Sequence, residues 1–402
     1  MLLSLLPLLC CYMKDTFMSV LALFGAANDG GPMHLFFAFC GIFCIAVYIV
    51  KCLLNSNIFD WELFLLFAIL LFFIVFMIVC PLKYGYTDSV YKSMYLTFGS
   101  ASIPAFLMGI MARKRNLISD MMKWLPPFII ILTFASFIVT LSPSGQTSGG
   151  FVSDESGLMY QNCSYYSAFA FGLNILYLKF YDSVNHFKPF SSSKFKILLK
   201  LMPVVEVVTV FLSGGRGGCV VLFLFIIYAV FVFSRNSADA VRNVFLVLAA
   251  GIVVLFVLPK VNIATNGINR IFNGLTSDSS RDILKIQAIE AGNRHYIFGN
   301  GPGSVFYELE IYSHNIFTDF YCEMGTVGVL LYSVLIVVQT CCLIRLIKEN
   351  KFNHLVMIIF LSAFVFLQFS SYYISVPGIW FTTGYVFSKT PQNLKLYNAC
   401  ER

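Results

Sequence analysis

An arginine among glycines is the first feature of the sequence that could bind an anion. Residues 213–218 read Ser-Gly-Gly-Arg-Gly-Gly and join two apolar runs, with Arg216 at the centre. Glycine lets a ligand approach the backbone closely, and a helix that starts near Gly217 would point unpaired amides at that ligand. A guanidinium can also bind a phosphate through two parallel hydrogen bonds. The pattern indicates a phosphate site, and the alternative is a turn whose arginine reaches the lipid headgroups.

A second arginine lies near the start of a short polar helix. The pattern over residues 278–292 predicts a helix of three turns, with a capping box formed by Ser279 and Asp282 and with Gly292 as its stop. Arg281 lies in the first turn, where a cation opposes the helix dipole by about 0.3–1 kcal/mol. The position therefore calls for an anionic partner, which is either Asp278 or Asp282, or a bound phosphate.

A histidine between two glycine-rich segments could supply acid–base chemistry. Residues 299–303, Gly-Asn-Gly-Pro-Gly, predict a bent backbone, and His314 follows at the start of the next apolar run. An imidazole titrates near neutral pH and can act as a general base, although a lone histidine there can also be a structural hydrogen bonder. Gly325 and Gly328 indicate a seam of close helix packing.

The helix after this histidine could present further polar groups. If it begins by His314, Tyr321 shares the face of His314, because the two are seven residues apart. Asp319 and Glu323 are four residues apart and line a different face.

Composition shows what kind of structure must hold these residues. The chain has 402 residues, of which 58% are hydrophobic and only 12% are charged. Soluble domains are about 45–50% apolar and about 25% charged, so a cytosolic enzyme, a disordered chain and a nucleic-acid binder are disfavoured. The cysteines lie mainly in apolar runs and no zinc-ligand spacing occurs, so we expect no metal site.

Apolar runs predict an all-α polytopic membrane protein. A helix needs about 20 mainly apolar residues to cross roughly 30 Å of hydrocarbon. We predict about 12 transmembrane helices on this basis. They lie near residues 2–25, 33–51, 62–82, 93–112, 124–142, 160–180, 197–213, 219–234, 243–259, 317–344, 354–371 and 372–387. The first contains Pro7, Lys14 and Asp15, so it is either two half-helices or a tilted interfacial helix.

Charge distribution predicts the orientation, because lysine and arginine accumulate in cytoplasmic loops. With the N-terminus inside, the inner segments hold 18 basic residues and the outer segments hold 8. Both termini are therefore predicted to be cytoplasmic. The long polar segment 260–316 is predicted to be an outer loop within a single integral membrane domain, 1–402.

The order of these motifs resembles the O-antigen polymerase and O-antigen ligase superfamily. The resemblance rests on the Ser-Gly-Gly-Arg-Gly-Gly turn, the long outer loop with an arginine, Gly-x-Gly-x-Gly, and Ser-His-Asn followed by Glu-Met-Gly-x-x-Gly. It is specific over about residues 205–335. The glycine-rich Gly214-Gly215-Arg216 replaces the Ser-Arg or Thr-Arg that is more usual in ligases, which favours a polymerase.

The resemblance implies a GT-C-like, metal-independent inverting glycosyltransferase without a cofactor, at the periplasmic face of the bacterial inner membrane. Such a polymerase serves lipopolysaccharide biosynthesis by transferring the growing glycan from undecaprenyl pyrophosphate onto a new lipid-linked repeat unit. His314 would be the catalytic base, and Arg216 and Arg281 would bind the pyrophosphate and stabilise its charge. The other substrate-binding residues implied are Arg294, Asn315, Tyr321 and Glu323. The implied partners are the undecaprenyl-pyrophosphate-linked oligosaccharide, membrane lipids and a chain-length regulator protein, with no nucleic acid.

Two other functions stay open on the sequence. An O-antigen ligase uses the same donor but delivers the glycan to the lipid A core. A transporter or flippase of lipid-linked oligosaccharide would instead place ionisable groups near the bilayer midplane. Glu206 is the clearest such residue, and it is either a buried partner of a base or an acid that reaches toward Arg216. The main polar cluster lies at one face, which favours an enzyme.

The basic-residue asymmetry makes the topology testable. Reporter fusions after Ser191 and at the C-terminus should report the cytoplasm, and fusions near Asn266 should report the outside. A cytoplasmic location for the segment 260–316 would contradict a periplasmic active site.

Overall fold

The computed structural model describes residues 2–23, 30–54, 98–141, 160–234 and 280–388, with short stretches between 64 and 82 and between 236 and 245. Within these residues the regular elements are helices and none is a strand, which confirms the all-α fold class. In chain order the main helices are α1 (Leu2–Leu23), α2 (Gly30–Leu54), α3 (Ile103–Lys114), α4 (Ile118–Lys123), α5 (Leu125–Leu141), α6 (Tyr160–Lys179), α7 (Ser193–Ser213), α8 (Arg216–Phe233), α9 (Ser280–Asn293), α10 (Ser304–Leu309), α11 (Ile316–Glu349), α12 (His354–Phe369) and α13 (Pro377–Phe387).

The chain divides into two compact units. The first comprises residues 1–11, 31–118 and 278–402, and the second comprises residues 12–30 and 119–277. The single membrane domain, its periplasmic loop and the GT-C-like architecture stay predictions.

Long apolar helices and exposed apolar side chains indicate a membrane protein. In the described part of the chain, two helical stretches are long and apolar enough to cross a bilayer: α11, and Lys351–Phe369, which is α12 together with the 3₁₀ turn that precedes it. Large apolar side chains lie on the surface, among them Phe39 of α2 (71% exposed) and Leu331 of α11 (66% exposed), and such surfaces suit lipid contact. The number of about 12 spans stays a prediction, since most of 62–82 and 243–259 lies outside the described residues.

Two helices differ from the sequence prediction at their prolines. Helix α1 is continuous through Pro7, so the interpretation as two half-helices is wrong. Pro7 lies near the start of the helix, where it removes a single backbone hydrogen bond. At the other end of the chain, Pro377 starts α13, and the predicted span 372–387 contains only this 11-residue helix after a short 3₁₀ turn. A proline is well suited to the first helical position.

Small residues let helices approach closely within each unit. In the first unit, Gly109 of α3 lies against the backbone of Phe381, and Gly384 of α13 lies against the backbone of Phe106. In the second unit, Gly172 of α6 makes room for the ring of Phe225. These contacts are the close backbone approach that small residues permit between membrane helices.

Helix α11 is broken at Gly325, which has φ +63° and ψ −158°. An unbroken helix of 34 residues would be about 51 Å long, well beyond the roughly 30 Å of a hydrocarbon core. The break frees amides that the preceding loop then satisfies. The N–H of Thr326 donates to the carbonyl of Tyr296 (2.8 Å), and the N–H of Val327 donates to the carbonyl of Ile297 (3.2 Å). The predicted packing seam is therefore wrong for Gly325, which instead ends one helical segment and starts another.

The conformation at Gly325 predicts a selective cost of substitution. Gly325→Ala should lower the thermal unfolding midpoint in detergent, because its φ and ψ are essentially restricted to glycine and a Cβ would overlap the backbone of Ile297. Backbone strain of this kind costs about 1–3 kcal/mol. Gly99→Ala is the matched control, since a Cβ there meets no atom within 4 Å. Equal midpoints for the two variants would show that the break does not depend on glycine.

Candidate active site

Asn315 defines where the helix after the histidine begins. Its side-chain oxygen accepts hydrogen bonds from the amides two and three residues further on, at 3.0 and 3.3 Å, which is an N-cap. Helix α11 therefore starts at Ile316, and His314 lies outside it with φ +61°. The prediction that His314 and Tyr321 share one helix face is wrong for this reason.

The His314 side chain lies in a half-buried and polar position. Its ring centroid is 4.5 Å from that of Tyr312. Its Nδ1 atom is buried and has no hydrogen-bond partner among the described residues. A non-glycine residue with positive φ is strained, and a buried polar atom nearly always has a partner. Both features are typical of a residue that meets a ligand.

Charges from α9 act on this histidine. The pKa of His314 is lowered from 6.5 to about 4, first by burial and then by the positive charges of Arg281 and Lys285. His314 is therefore neutral at pH 7. The structure thus brings together two of the predicted catalytic residues, His314 and Arg281, within the first unit.

Arg281 is held by the end of another helix. Its Nη1 group donates to the carbonyl of Phe369 at 2.8 Å, where a cation suits the C-terminal end of α12. Asp282, one of the two predicted protein partners, pairs with Lys285 at 3.0 Å, and Asp278 lies outside the described residues. A guanidinium has five N–H donors, so this one bond leaves capacity for an anion.

The loop before α11 is fastened to the same end of α12. The Tyr312 hydroxyl donates to the carbonyl of Ser370 at 2.9 Å, and the Asn315 amide contacts the Gln368 side-chain oxygen at 3.5 Å. The other side-chain atom of Gln368, Nε2, is buried without a partner among the described residues. The sequence analysis missed Gln368, because nothing in a long apolar run marked it as a neighbour of His314.

Two acids on the buried face of α11 hold the surrounding loops. Asp319 and Glu323, which lie four residues apart on α11, are both fully buried. Asp319 accepts from the backbone N–H of Ser313 at 2.8 Å, and its second carboxyl oxygen has no partner in the described part of the chain. Glu323 accepts from the hydroxyls of Tyr372 (2.6 Å) and Tyr373 (3.3 Å). Its role in substrate binding stays a prediction.

Tyr321 of α11 contacts α9, and Arg294 follows the last residue of α9. The Tyr321 hydroxyl donates to the side chain of Asn293 at 2.7 Å, and Arg294 forms an ion pair with Glu308. A Cβ on Gly292 would lie 2.6 Å from the Tyr321 ring. The prediction that Gly292 stops the helix is wrong, because α9 continues to Asn293 and the glycine is needed for close packing.

The glycine-rich segment ties α9 to the broken helix. The Asn300 side-chain amide donates to the carbonyls of Ala291 (2.8 Å) and Cys322 (3.1 Å). Gly299 has φ +71°, and a Cβ there would overlap the backbone of Glu323. Asn300 was not among the predicted site residues. Its position between two glycines is the sequence signal that could have identified it.

Arg216 belongs to the second unit, at the first residue of α8. Gly214, with φ +68°, ends α7 in the left-handed conformation that favours glycine. A Cβ on Gly217 would overlap the Tyr165 hydroxyl, and one on Gly218 would overlap Ser164. The predicted approach of a ligand to the backbone is therefore wrong for these two glycines, because side chains of α6 occupy the space.

No group of three or more His, Cys, Asp or Glu side chains that could hold a metal occurs in the part of the chain that the structure describes. The arrangement in the first unit is instead a neutral histidine beside two cations. It can accept a proton and bind an anion.

A comparison with known families covers both the arginine turn and this histidine. Residues 202–333 match the family model described as O-Antigen ligase. The match spans 132 of the 402 residues and includes Arg216, Arg281 and His314. It confirms the resemblance to the O-antigen ligase and polymerase superfamily over this region. No curated protein and no solved structure matches the chain.

The charges in the region that matches the O-Antigen ligase family model predict how His314 titrates. In ¹⁵N-histidine NMR spectra, His314 should titrate near pH 4, because burial and the two cations disfavour its protonation. Since the unfolded chain binds the proton near pH 6.5, this group should reduce stability as the pH falls from 6.5 toward 4. Inorganic pyrophosphate should raise the pKa of His314 by neutralising Arg281 and Lys285.

The His314→Gln spectrum identifies the resonance, since the chain has only five histidines. Titration near pH 6.5 without pyrophosphate would contradict the buried, cation-flanked position.

Proposed function

We propose that the chain is an O-antigen polymerase, a glycosyltransferase that extends surface polysaccharide at the periplasmic face of the bacterial inner membrane. The observation that carries the proposal is a neutral histidine with an unpartnered buried Nδ1 atom beside Arg281, within a region that matches the O-antigen ligase family. Transfer of a sugar from a pyrophosphate needs two elements, a proton acceptor and a fixed cation.

The proposed reaction is a single inverting displacement. The acceptor hydroxyl oxygen of the new repeat unit attacks the anomeric carbon of the growing glycan. The bond between that carbon and the pyrophosphate oxygen breaks, and undecaprenyl pyrophosphate leaves with the bonding electrons. His314 takes the hydroxyl proton as the new glycosidic bond forms.

Arg281 supplies the charge stabilisation in this scheme. One N–H is fixed on the carbonyl of Phe369, which orients the guanidinium, and its other donors can bind the leaving pyrophosphate. A comparable electrostatic donor is worth about 2.7–4 kcal/mol in the transition state. Lys285 lies near enough to affect His314 and adds positive charge to the same site. Arg216 is proposed as a further pyrophosphate ligand.

The basicity of His314 would depend on the donor. With a pKa of about 4, the free imidazole is a weak base, because burial disfavours its protonated form and Arg281 and Lys285 then repel a bound proton. A pyrophosphate on these cations removes that repulsion and adds negative charge, so the imidazole becomes more basic when the donor is bound.

Among the remaining substrate-binding candidates, Asn315 is best placed for the acceptor because it follows His314 directly and is half-buried. Arg294 would have to exchange its pair with Glu308 in order to bind substrate. A chain-length regulator is proposed as the protein partner, and undecaprenyl-pyrophosphate-linked oligosaccharide as the substrate.

An O-antigen ligase is the second candidate function, and the description of the matching family model, O-Antigen ligase, favours it. The glycines before Arg216 favour the polymerase, since ligases more usually carry Ser-Arg or Thr-Arg there. Gene disruption separates the two. Loss of a polymerase leaves lipopolysaccharide capped by a single repeat, whereas loss of a ligase leaves long polymer on undecaprenyl pyrophosphate. Normal long-chain lipopolysaccharide after disruption would contradict both functions. Loss of a transporter would instead leave lipid-linked repeat units on the cytoplasmic side of the membrane.

The proposed roles predict different defects in two variants. In purified protein with lipid-linked repeat units, His314→Ala should slow transfer by roughly 10²-fold or more with donor affinity unchanged. Arg281→Gln should weaken donor binding, because it removes the cation that binds pyrophosphate. Arg345→Gln is the control, since Arg345 is exposed at the other end of α11 and pairs with Glu349.

A different outcome would reassign His314. If His314→Ala weakens donor binding in step with the rate, and His314→Gln keeps most activity, the imidazole donates a hydrogen bond to the pyrophosphate and is not the base.

A further inference from the structure

Buried polar side chains lie at successive levels inside the second unit, where α5, α6 and α7 meet. Each of these helices carries polar residues seven positions apart, which is about two turns and therefore one face. The pairs are Thr133 and Thr140 on α5, Ser167 and Asn174 on α6, and Glu206 and Ser213 on α7, all of them buried. We call the following six residues the polar seam: Thr133, Ser136, Ser164, Ser167, Asn174 and Glu206.

Glu206 closes one end of the polar seam. It is fully buried, and its Oε1 atom accepts from the Thr133 hydroxyl at 2.8 Å and from the Asn174 amide at 3.2 Å. Both donors are neutral, and none of the salt bridges among the described residues involves Glu206. An ionised carboxylate without a cationic partner is costly to bury, so the neutral acid is favoured.

The protonated acid needs an acceptor on its other oxygen. The Oε2 atom of Glu206 has one long contact, with the Nδ2 atom of Asn174 at 3.5 Å, and this nitrogen is a donor and not an acceptor. A carboxylic O–H at this atom therefore has no acceptor among the described side chains that bind Glu206. A water molecule at this position would supply one.

The other end of the polar seam lies at the glycine turn. The Ser164 hydroxyl donates to the carbonyl of Gly215 at 3.0 Å, directly before Arg216. Cys163 hydrogen-bonds to Thr140 at the same level. Because seven residues of helix extend about 10 Å, the polar seam covers a comparable distance between Glu206 and this turn.

Three buried side-chain atoms of the polar seam have no partner among the described residues. The hydroxyls of Ser136 and Ser167 and the side-chain oxygen of Asn174 are buried without a hydrogen bond within the described ranges. The antiparallel pairing of α5 and α6 puts Ser136 and Ser167 between the two ends, since Thr133 and Asn174 meet at Glu206 and Thr140 meets Cys163. Buried polar atoms are normally satisfied by protein or water, and a buried water needs two to four such partners.

Nearby hydroxyls behave differently. Thr140 donates to the carbonyl of Ser136 at 2.8 Å, and Thr209 donates to the carbonyl of Val205 at 2.7 Å, each within its own helix. The unpartnered atoms are therefore a property of the polar seam and not of every buried hydroxyl in this unit.

We propose that the polar seam holds a chain of water molecules that links a protonated Glu206 to the Gly215 turn, which makes Glu206 a buried proton-binding site with access to that turn. The ligands are water and an exchangeable proton. The titratable groups that border the seam are Glu206, Cys163, Tyr165 and Arg216. This site is separate from the proposed sugar transfer and does not depend on it.

Infrared spectroscopy of the full chain in lipid nanodiscs tests the protonation. With the glutamate carboxyl groups labelled with ¹³C, a protonated-carboxyl band that persists at neutral pH and disappears in Glu206→Gln is expected. Thr133→Val should shift the same band, because it removes the hydrogen bond to Oε1. This second variant keeps the test valid if Glu206→Gln does not fold. Absence of a band that responds to either variant would overturn the proposal.

Exchange into heavy water tests the water chain. The Glu206 band should shift within the mixing time in the unsubstituted protein. The double variant Ser136→Val with Ser167→Val should slow this shift by roughly tenfold or more, because the water loses two partners. Thr209→Val is the control, since its hydroxyl is buried but already bonded within α7. A slow shift in the unsubstituted protein, or equal rates in the double variant and the control, would show a dry seam of helix-packing hydroxyls and overturn the proposal.

Discussion

The break of α11 at Gly325 is the constraint on which the first unit depends. A membrane helix cannot leave its backbone amides unpaired, so the carbonyls of Tyr296 and Ile297 must lie against the break. That requirement places the glycine-rich loop beside α11 and brings α9 with it. The part of α11 before the break, which starts at Ile316, has a different direction from the apolar part after it. This first part holds the buried acids and the N-cap beside the site. Arg281 and His314 meet because the loop between them is fixed at this point.

The sequence could predict the family better than the geometry of the site. The motifs with glycine, arginine and histidine indicated the O-antigen ligase and polymerase superfamily, and the family comparison confirms that resemblance for residues 202–333. The glycines were harder to interpret, because a glycine pattern does not distinguish a ligand contact from a backbone break or a close helix contact. Gly325 is a break, whereas the space beside Gly217 is filled by Tyr165, which lies 52 residues earlier in the chain. Long-range contacts of this kind have no local pattern, and Gln368 was missed for the same reason.

Both units bury a glutamate and satisfy it with neutral donors. Glu323 is held by the hydroxyls of Tyr372 and Tyr373, and Glu206 by Thr133 and Asn174. Such carboxyl groups cost less to bury than a lone ion, and their hydrogen bonds fix one packing of the surrounding helices. Helix composition alone could place these acids inside a span, but it could not identify which side chains would satisfy them.

The cations around His314 would constrain the order of events at the proposed site. Burial first lowers the pKa of the imidazole, and the charges of Arg281 and Lys285 lower it further, so the imidazole becomes a stronger base when those charges are neutralised. The pyrophosphate of the donor is the group that would neutralise them. An acceptor hydroxyl that arrives first would therefore meet a poor base, and one that arrives after the donor would meet a stronger base and an activated leaving group together. The same charges that would stabilise the leaving pyrophosphate thus also tie proton abstraction to the presence of the donor.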